Sequence, residues 1–105
     1  MKTIPQSYVK YHDTHDLVER DGDYVIYRRW REGQKKVCWE MMIVQHAKRT
    51  GFGVEEGDEY LPSSSTWGRL GWTCWSLEEA RKKIEVLKAK SKNGTRAKEA
   101  SDEEA

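Results

Sequence analysis

The sequence is poor in residues that cross-link or interrupt a chain, with two cysteines and two prolines among 105 residues. Cys38 and Cys74 form no Cys-x-x-Cys pair and have no histidine at metal-ligand spacing, which argues against a zinc site. We expect both to be buried, reduced thiols, because free cysteine packs as a small hydrophobic residue. A disulfide bond between them is possible only if the two cysteines lie on neighbouring strands.

A long apolar run is also missing. No stretch approaches the roughly 18 apolar residues of a membrane-spanning helix, and no N-terminal apolar run has the length of a signal peptide. We therefore expect a cytoplasmic protein that does not enter a membrane.

Neither sign of charge is in excess. Nineteen basic and 18 acidic side chains leave a net charge of +1, so composition gives no general argument for binding nucleic acid or an anionic membrane. The chain does have aromatic residues, five Trp and five Tyr, each of which removes about 150 to 250 Å² from water when buried. A chain of this length is expected to form one domain with a modest core.

The C-terminal part predicts one helix followed by a tail. Ser76 and Glu79 have the spacing of a capping box, and an apolar helical stripe follows over roughly residues 77–90. This stripe consists of Leu77, Ala80, Ile84 and Leu87. Residues 92–105 contain no large apolar side chain, so we expect a disordered charged tail after a single domain at residues 1–91.

The middle of the chain predicts antiparallel strands. Asp23–Arg31 and Lys36–His46 are rich in β-branched and aromatic residues and are separated by a short polar turn, the pattern of a hairpin. Asp21-Gly22 predicts a tight turn after a strand at residues 17–20, and residues 7–11 are a candidate edge strand. The expected fold is α+β, a three- to four-stranded antiparallel β-meander with one C-terminal α-helix packed on one face.

Alternation along the second arm of the hairpin predicts which side chains are buried. Trp39 and Met41 alternate with Glu40, so we assign the Trp39 face to the core. In the later aromatic stretch, we expect Trp72, Cys74 and Trp75 to be structural. Trp67 precedes that strand, and we expect it to face a partner.

The residues that could carry catalysis or bind a metal form no established motif. His12–Asp16 is a dense His/Asp cluster that could hold a metal together with His46, but its Asp and Thr residues favour a polar turn. Ser63–Ser65 lack the frame of a nucleophile elbow, and the glycines lack that of a phosphate-binding loop. We therefore expect no catalytic residues, no bound metal and no cofactor.

The most specific surface signal is a basic and aromatic hairpin tip. We expect it to form a partner-binding surface together with two aromatic residues of the following long loop. The candidate residues are Arg28, Arg29, Trp30, Arg31, Lys35, Lys36, Tyr60 and Trp67. Trp, Tyr and Arg dominate binding energy at protein interfaces, so we expect a small non-enzymatic interaction module whose partner is a protein.

Other partners stay open at this stage. The Arg28–Lys36 hairpin could instead bind nucleic acid, since guanidinium groups bind phosphate and Trp30 could stack on a base. An acidic run at residues 55–59 could fold back on this hairpin, meet it in a second copy, or mimic a phosphate backbone. Pairing of the candidate edge strand Tyr8–Tyr11 with its copy would give a homodimer.

Overall fold

One antiparallel sheet and one helix form the framework of the molecule. The computed structural model describes residues 2–94, with side chains for residues 2–91. The strands are β1 (Ser7–Lys10), β2 (Asp13–Asp21), β3 (Tyr24–Trp30), β4 (Cys38–Ile43), β5 (Gln45–His46), β6 (Glu59–Tyr60) and β7 (Gly71–Cys74), and the helix is α1 (Leu77–Gly94). The sheet has the order β1-β2-β3-β4-β7, while β5 and β6 form a separate two-stranded ribbon. The predicted α+β fold is confirmed, although the sheet has five strands instead of three or four.

The helix packs on one face of this sheet. The buried residues of this interface are Ile26, Met41, Cys74, Ala80 and Ile84, with Trp39 and Trp72 packed against them. The predicted assignment of the Trp39 face to the core is therefore confirmed. At the start of α1, Ser76 Oγ accepts a hydrogen bond from the Glu79 backbone N–H at 3.0 Å, as a capping box requires. The described helix runs to Gly94, so the prediction of a disordered tail was wrong for residues 92–94, which are helical. Residues 95–105 of the predicted tail lie outside the described residues.

The opposite face of the sheet carries a second core. Val25, Tyr27, Met42 and Val44 are buried there beneath Ile4 of the N-terminal segment. The hydroxyl of Tyr27 donates to the carbonyl of Pro5 at 2.6 Å, which ties that segment to the sheet. The rest of this face, toward the C-terminal end of β3, carries neither the helix nor the N-terminal segment.

The first hairpin differs from the prediction. The polar turn expected at His12–Asp16 is confined to Tyr11 and His12, and β2 already begins at Asp13. The turn preference of the Asp and Thr residues predicted a loop there, but pairing with β1 and β3 extends β2 to Asp13. Asp13 and His15 are therefore buried, with 7% and 3% of their surface exposed. Sequence alone could not anticipate the partners that these buried polar groups find.

Both cysteines are free, as predicted. Cys74 is buried and Cys38 is half-buried, and burial raises the pKa of each thiol above its ordinary value. Within residues 2–94, no helix combines the length and the apolar composition needed to cross a membrane.

Candidate functional site

The uncovered part of the sheet face opposite α1 contains two adjoining cavities, which we call the open-face groove. The larger has a volume of about 350 Å³ and the smaller about 170 Å³. Both are lined by Arg29, so they adjoin at this residue. The larger cavity is lined by Tyr8, Lys10, Tyr11, His15, Arg29, Glu40, Met42, Pro62, Ser64, Trp67 and Thr73.

Aromatic side chains from two distant parts of the chain wall the larger cavity. Tyr8 and Tyr11 come from β1 and the turn after it, whereas Trp67 comes from the loop before β7. The loop reaches this position because β7 pairs with β4, with Thr73 opposite Glu40. The cavity thus has an aromatic wall at each side and a polar floor on the central strands.

The floor of the groove is an ion-pair network centred on Arg29. Its Nη2 lies 2.6 Å from Asp13 Oδ2, and its Nη1 lies 3.0 Å from Glu40 Oε2. Arg31 Nε binds the other oxygen of Asp13 at 2.7 Å. The hydrogen bond from Arg29, with help from Arg31, lowers the pKa of Asp13, so this carboxylate stays ionised. Asp13 and Glu40 therefore hold both arginines in fixed positions.

His15 completes the floor next to Glu40. Its Nε2 lies 3.4 Å from Glu40 Oε1, and its ring stacks on Tyr8 with centroids 4.4 Å apart. His15 Nδ1 is buried without a hydrogen-bond partner. Burial also raises the pKa of Tyr8, so its hydroxyl stays protonated at neutral pH.

The turn that carries Tyr11 is strained. Tyr11 and His12 have φ angles of 52° and 71°, and they link the paired residues Lys10 and Asp13. Two positive φ angles are typical of a type I′ hairpin turn, in which Asn-Gly is favoured. Two ring-bearing residues at these positions cost conformational energy, and such strain clusters at functional sites.

The smaller cavity lies beside the hairpin tip and includes a tryptophan that was predicted to be structural. Trp75 is 71% exposed and lines this cavity with Trp30, Arg31, Lys36 and other residues of the tip. The prediction for Trp75 was wrong because the strand ends at Cys74 and the helix starts only at Leu77. Trp75 follows the last paired residue and is not packed into the α1 core.

The structure brings together only part of the predicted binding surface. Arg29 and Trp67 line the larger cavity, and Arg29, Trp30, Arg31 and Lys36 line the smaller one. Three predicted residues line neither cavity: Arg28, Lys35 and Tyr60.

Strand alternation and loop position explain these three exceptions. Arg28 pairs with Trp39 and so lies on the α1 side of the sheet. Tyr60 is 53% exposed but belongs to the β5–β6 ribbon. Lys35 is exposed in the loop between β3 and β4.

Trp67 is held against the backbone of β7. Its indole Nε1 donates to Thr73 Oγ1 at 3.1 Å, and the ring remains 37% exposed. A Cβ atom at Gly71 would lie 2.4 Å from Cζ3 of this ring. Glycine at this position therefore permits the close approach that fixes the wall of the cavity.

The acidic run at residues 55–59 has structural partners. Asp58 Oδ1 accepts the Lys2 backbone N–H at 2.7 Å, and Glu59 Oε2 lies 2.6 Å from Arg20 Nη2. These two carboxylates therefore hold the N-terminal segment and β2, and not the arginines of the hairpin tip.

One group of side chains within residues 2–94 could share a metal ion. It consists of Asp23, His46 and Glu59, whose ligand atoms lie within 4.8 Å of one another. Arg20 Nη2 also lies 3.7 Å from Asp23 Oδ1, so its guanidinium occupies the space between the two carboxylates. The hydrogen bond to Asp23 raises the pKa of His46, which favours an ion pair over metal ligation. The predicted alternative of His46 with His12 and His15 does not form such a group.

Several groove residues were missed from the sequence. Tyr8, Lys10, Tyr11 and Ser64 line the larger cavity but carry no recognisable motif. No sequence signal marks them, because the Tyr11-His12 turn contains neither glycine nor asparagine and is seen only from the backbone angles of the structure.

Comparison with known proteins adds no further information on this site. The chain matches no protein-family model, no curated protein and no solved structure.

Proposed function

We propose that this chain is a small non-enzymatic interaction module that binds another protein through the open-face groove. The observation that carries the proposal is the larger cavity, which has aromatic walls and a paired polar floor. A cavity of about 350 Å³ can accept one or two side chains of a partner. Aromatic anchors at its rim are the residue types that dominate binding energy at protein interfaces.

Binding is favoured over catalysis because the carboxylates of the floor are already paired. Glu40 is 7% exposed and interacts with both Arg29 and His15, and these contacts hold it in the floor of the groove, away from solvent. The raised pKa values of Cys38 and Cys74 leave little thiolate for nucleophilic attack. Free thiols also suit the cytoplasm, which we propose as the location of the protein.

Nucleic-acid binding through the Arg28–Lys36 hairpin has less support. A guanidinium group recognises phosphate through its paired N–H donors. In this structure Arg29 and Arg31 both direct N–H donors at the carboxylate of Asp13. The indole N–H of Trp30 donates to Asp16 at 2.7 Å, which restrains the ring proposed to stack on a base.

Site-specific photo-crosslinking in the native cells tests the proposal. A benzophenone amino acid at Ser64, on the rim of the larger cavity, should yield discrete protein adducts. The matched control carries it at Val86, which is 49% exposed on α1 and lies outside both cavities. Trp67→Ala should abolish the Ser64 adducts. No protein adduct at Ser64, or the same adducts from both positions, would refute binding through this groove.

A further inference from the structure

The charges of the open-face groove are unbalanced. Four cationic side chains line its two cavities, Lys10, Arg29, Arg31 and Lys36, against the two carboxylates of Asp13 and Glu40. The groove therefore has an excess of positive charge although the whole chain is nearly neutral. A bound partner of opposite charge would correct this imbalance.

The unpaired charges belong to the two lysines. Asp13 binds Arg29 and Arg31, and Glu40 binds Arg29, so both carboxylates are used within the groove. Among the described residues, Lys10 and Lys36 make no ion pair, and both are exposed. Lys10 lies at the larger cavity and Lys36 at the smaller one.

The spacing of the lysines limits the ligand. Lys10 is on β1, and Lys36 lies just before β4. Because β1 and β4 are three strand spacings apart in the sheet, the two lysines are separated by roughly 14 Å across the strands. An extended peptide covers that distance in about four residues. The aromatic walls of Tyr11 and Trp67 lie at the larger cavity, where a side chain of such a peptide would enter.

From this arrangement we infer that the groove binds an acidic, extended segment of a protein, with two carboxylates about four residues apart and an apolar or aromatic side chain between them. The carboxylates pair with Lys10 and Lys36, and the apolar side chain enters the larger cavity. This inference rests on the proposed function and specifies the chemistry of the partner. A nucleic acid fits the groove less well, because the groove itself offers two cationic groups without an ion pair, far fewer than the roughly 6 to 10 phosphate contacts of a protein that depends on electrostatic binding.

Fluorescence anisotropy with defined probes tests this inference on the full chain. The probe is a fluorescein-labelled peptide of sequence Gly-Glu-Ser-Phe-Ser-Glu-Gly, compared with peptides carrying Lys for both Glu residues or Ala for Phe. We expect the acidic peptide to bind at least tenfold more tightly than either comparison peptide at low salt. Lys10→Glu and Lys36→Glu should each weaken it by roughly three- to tenfold, which corresponds to loss and reversal of one exposed ion pair.

Lys35→Glu is the matched control, because Lys35 is an exposed neighbour of Lys36 that lines neither cavity. It should leave binding of the acidic peptide within twofold of the unmodified protein. Equal losses from Lys35→Glu and Lys36→Glu would mean that net charge alone drives binding, and they would overturn the inference. Tighter binding of a labelled ten-residue oligothymidine would overturn it in favour of nucleic acid.

Two further outcomes separate this inference from the proposed function. In the first, the photo-crosslinker at Ser64 captures a partner while the acidic peptide binds no more tightly than the basic one. In that case the proposed protein binding is supported, and the inference of an acidic ligand is refuted. If light scattering finds a dimer that Lys10→Glu dissociates, the occupant is a second copy, and a separate acidic partner is excluded. Selective peptide binding by a monomer supports the inference as stated.

Discussion

Replacing the strained turn between β1 and β2 should stabilise the fold while weakening the binding of a peptide in the open-face groove. The change is Tyr11→Asn together with His12→Gly, the dipeptide that a type I′ turn favours. A left-handed conformation costs about 1–2 kcal/mol per ordinary residue, and glycine or asparagine relieves most of that cost. Both side chains are exposed, so their removal loses little buried area.

Two smaller effects oppose this gain. Glycine adds conformational freedom to the unfolded chain, which costs about 0.4–1 kcal/mol. The contact of Lys10 Nζ with the Tyr11 ring, 5.6 Å from its centroid, is also lost and is worth about 0.5–1 kcal/mol at an exposed site. The hydrogen bond from Arg31 to the Tyr11 carbonyl remains, because it uses the backbone. We expect a net increase of about 1 kcal/mol in the free energy of unfolding, or a rise of several degrees in Tm.

Urea denaturation followed by tryptophan fluorescence measures this difference. The midpoint should rise while the slope with urea stays the same. Tyr11→Phe is the control, since it keeps the strain and the ring and should leave both stability and peptide binding unchanged. Lower stability of the Asn-Gly variant would refute the strain argument, and unchanged peptide binding would refute a role of Tyr11 in the groove.

Two further predictions concern the loop that lines the larger cavity and the ion pair between Arg20 and Glu59. Gly71→Ala should force the Trp67 ring away from β7, and this overpacking should lower the free energy of unfolding by about 1–3 kcal/mol. Urea denaturation measures that loss. Unchanged stability would contradict the close approach of Trp67 to Gly71. Hydrogen bonding from Arg20 lowers the pKa of Glu59 to about 2, so the stabilisation from this pair is complete above the ordinary pKa of a glutamate and is lost as the pH falls toward 2. Unfolding free energies measured from pH 6 to 2 should therefore fall less steeply for Arg20→Gln, and an unchanged pH dependence would show that the pair contributes nothing.

Short sequence patterns correctly predicted the helix and the face of the sheet that it covers. The capping box at Ser76 and the apolar stripe after it identified α1, and alternation around Trp39 identified the face that the helix covers. The start of β2 was missed because Asp13 and Thr14 favour a turn. The partners that bury Asp13 and His15 lie on β3 and β4 and are not evident from the local sequence. Pairing with distant strands overrides local preference in such cases.

The candidate site was less predictable than the fold, because it joins segments that are far apart in sequence. Tyr8 and Trp67 meet across the larger cavity only because β7 pairs with β4 and draws the preceding loop over the sheet. The predicted hairpin tip contributed Arg29, which the sequence suggested as a free phosphate-binding group. Its guanidinium is instead ion-paired with Asp13 and Glu40 in the floor of the groove. Composition indicated the types of residue that line the groove, but not their arrangement.

The N-terminal segment has a practical consequence for anyone who handles this protein. The backbone N–H of Lys2 donates to Asp58, and the Lys2 carbonyl accepts the N–H of Glu59, so the first residues brace the loop that leads to Trp67. A bulky label attached at Lys2 would therefore disturb this contact. Proteolytic removal of residues before Ser7 would strip Ile4 from Tyr27 and Met42 and lengthen the groove into newly exposed apolar surface.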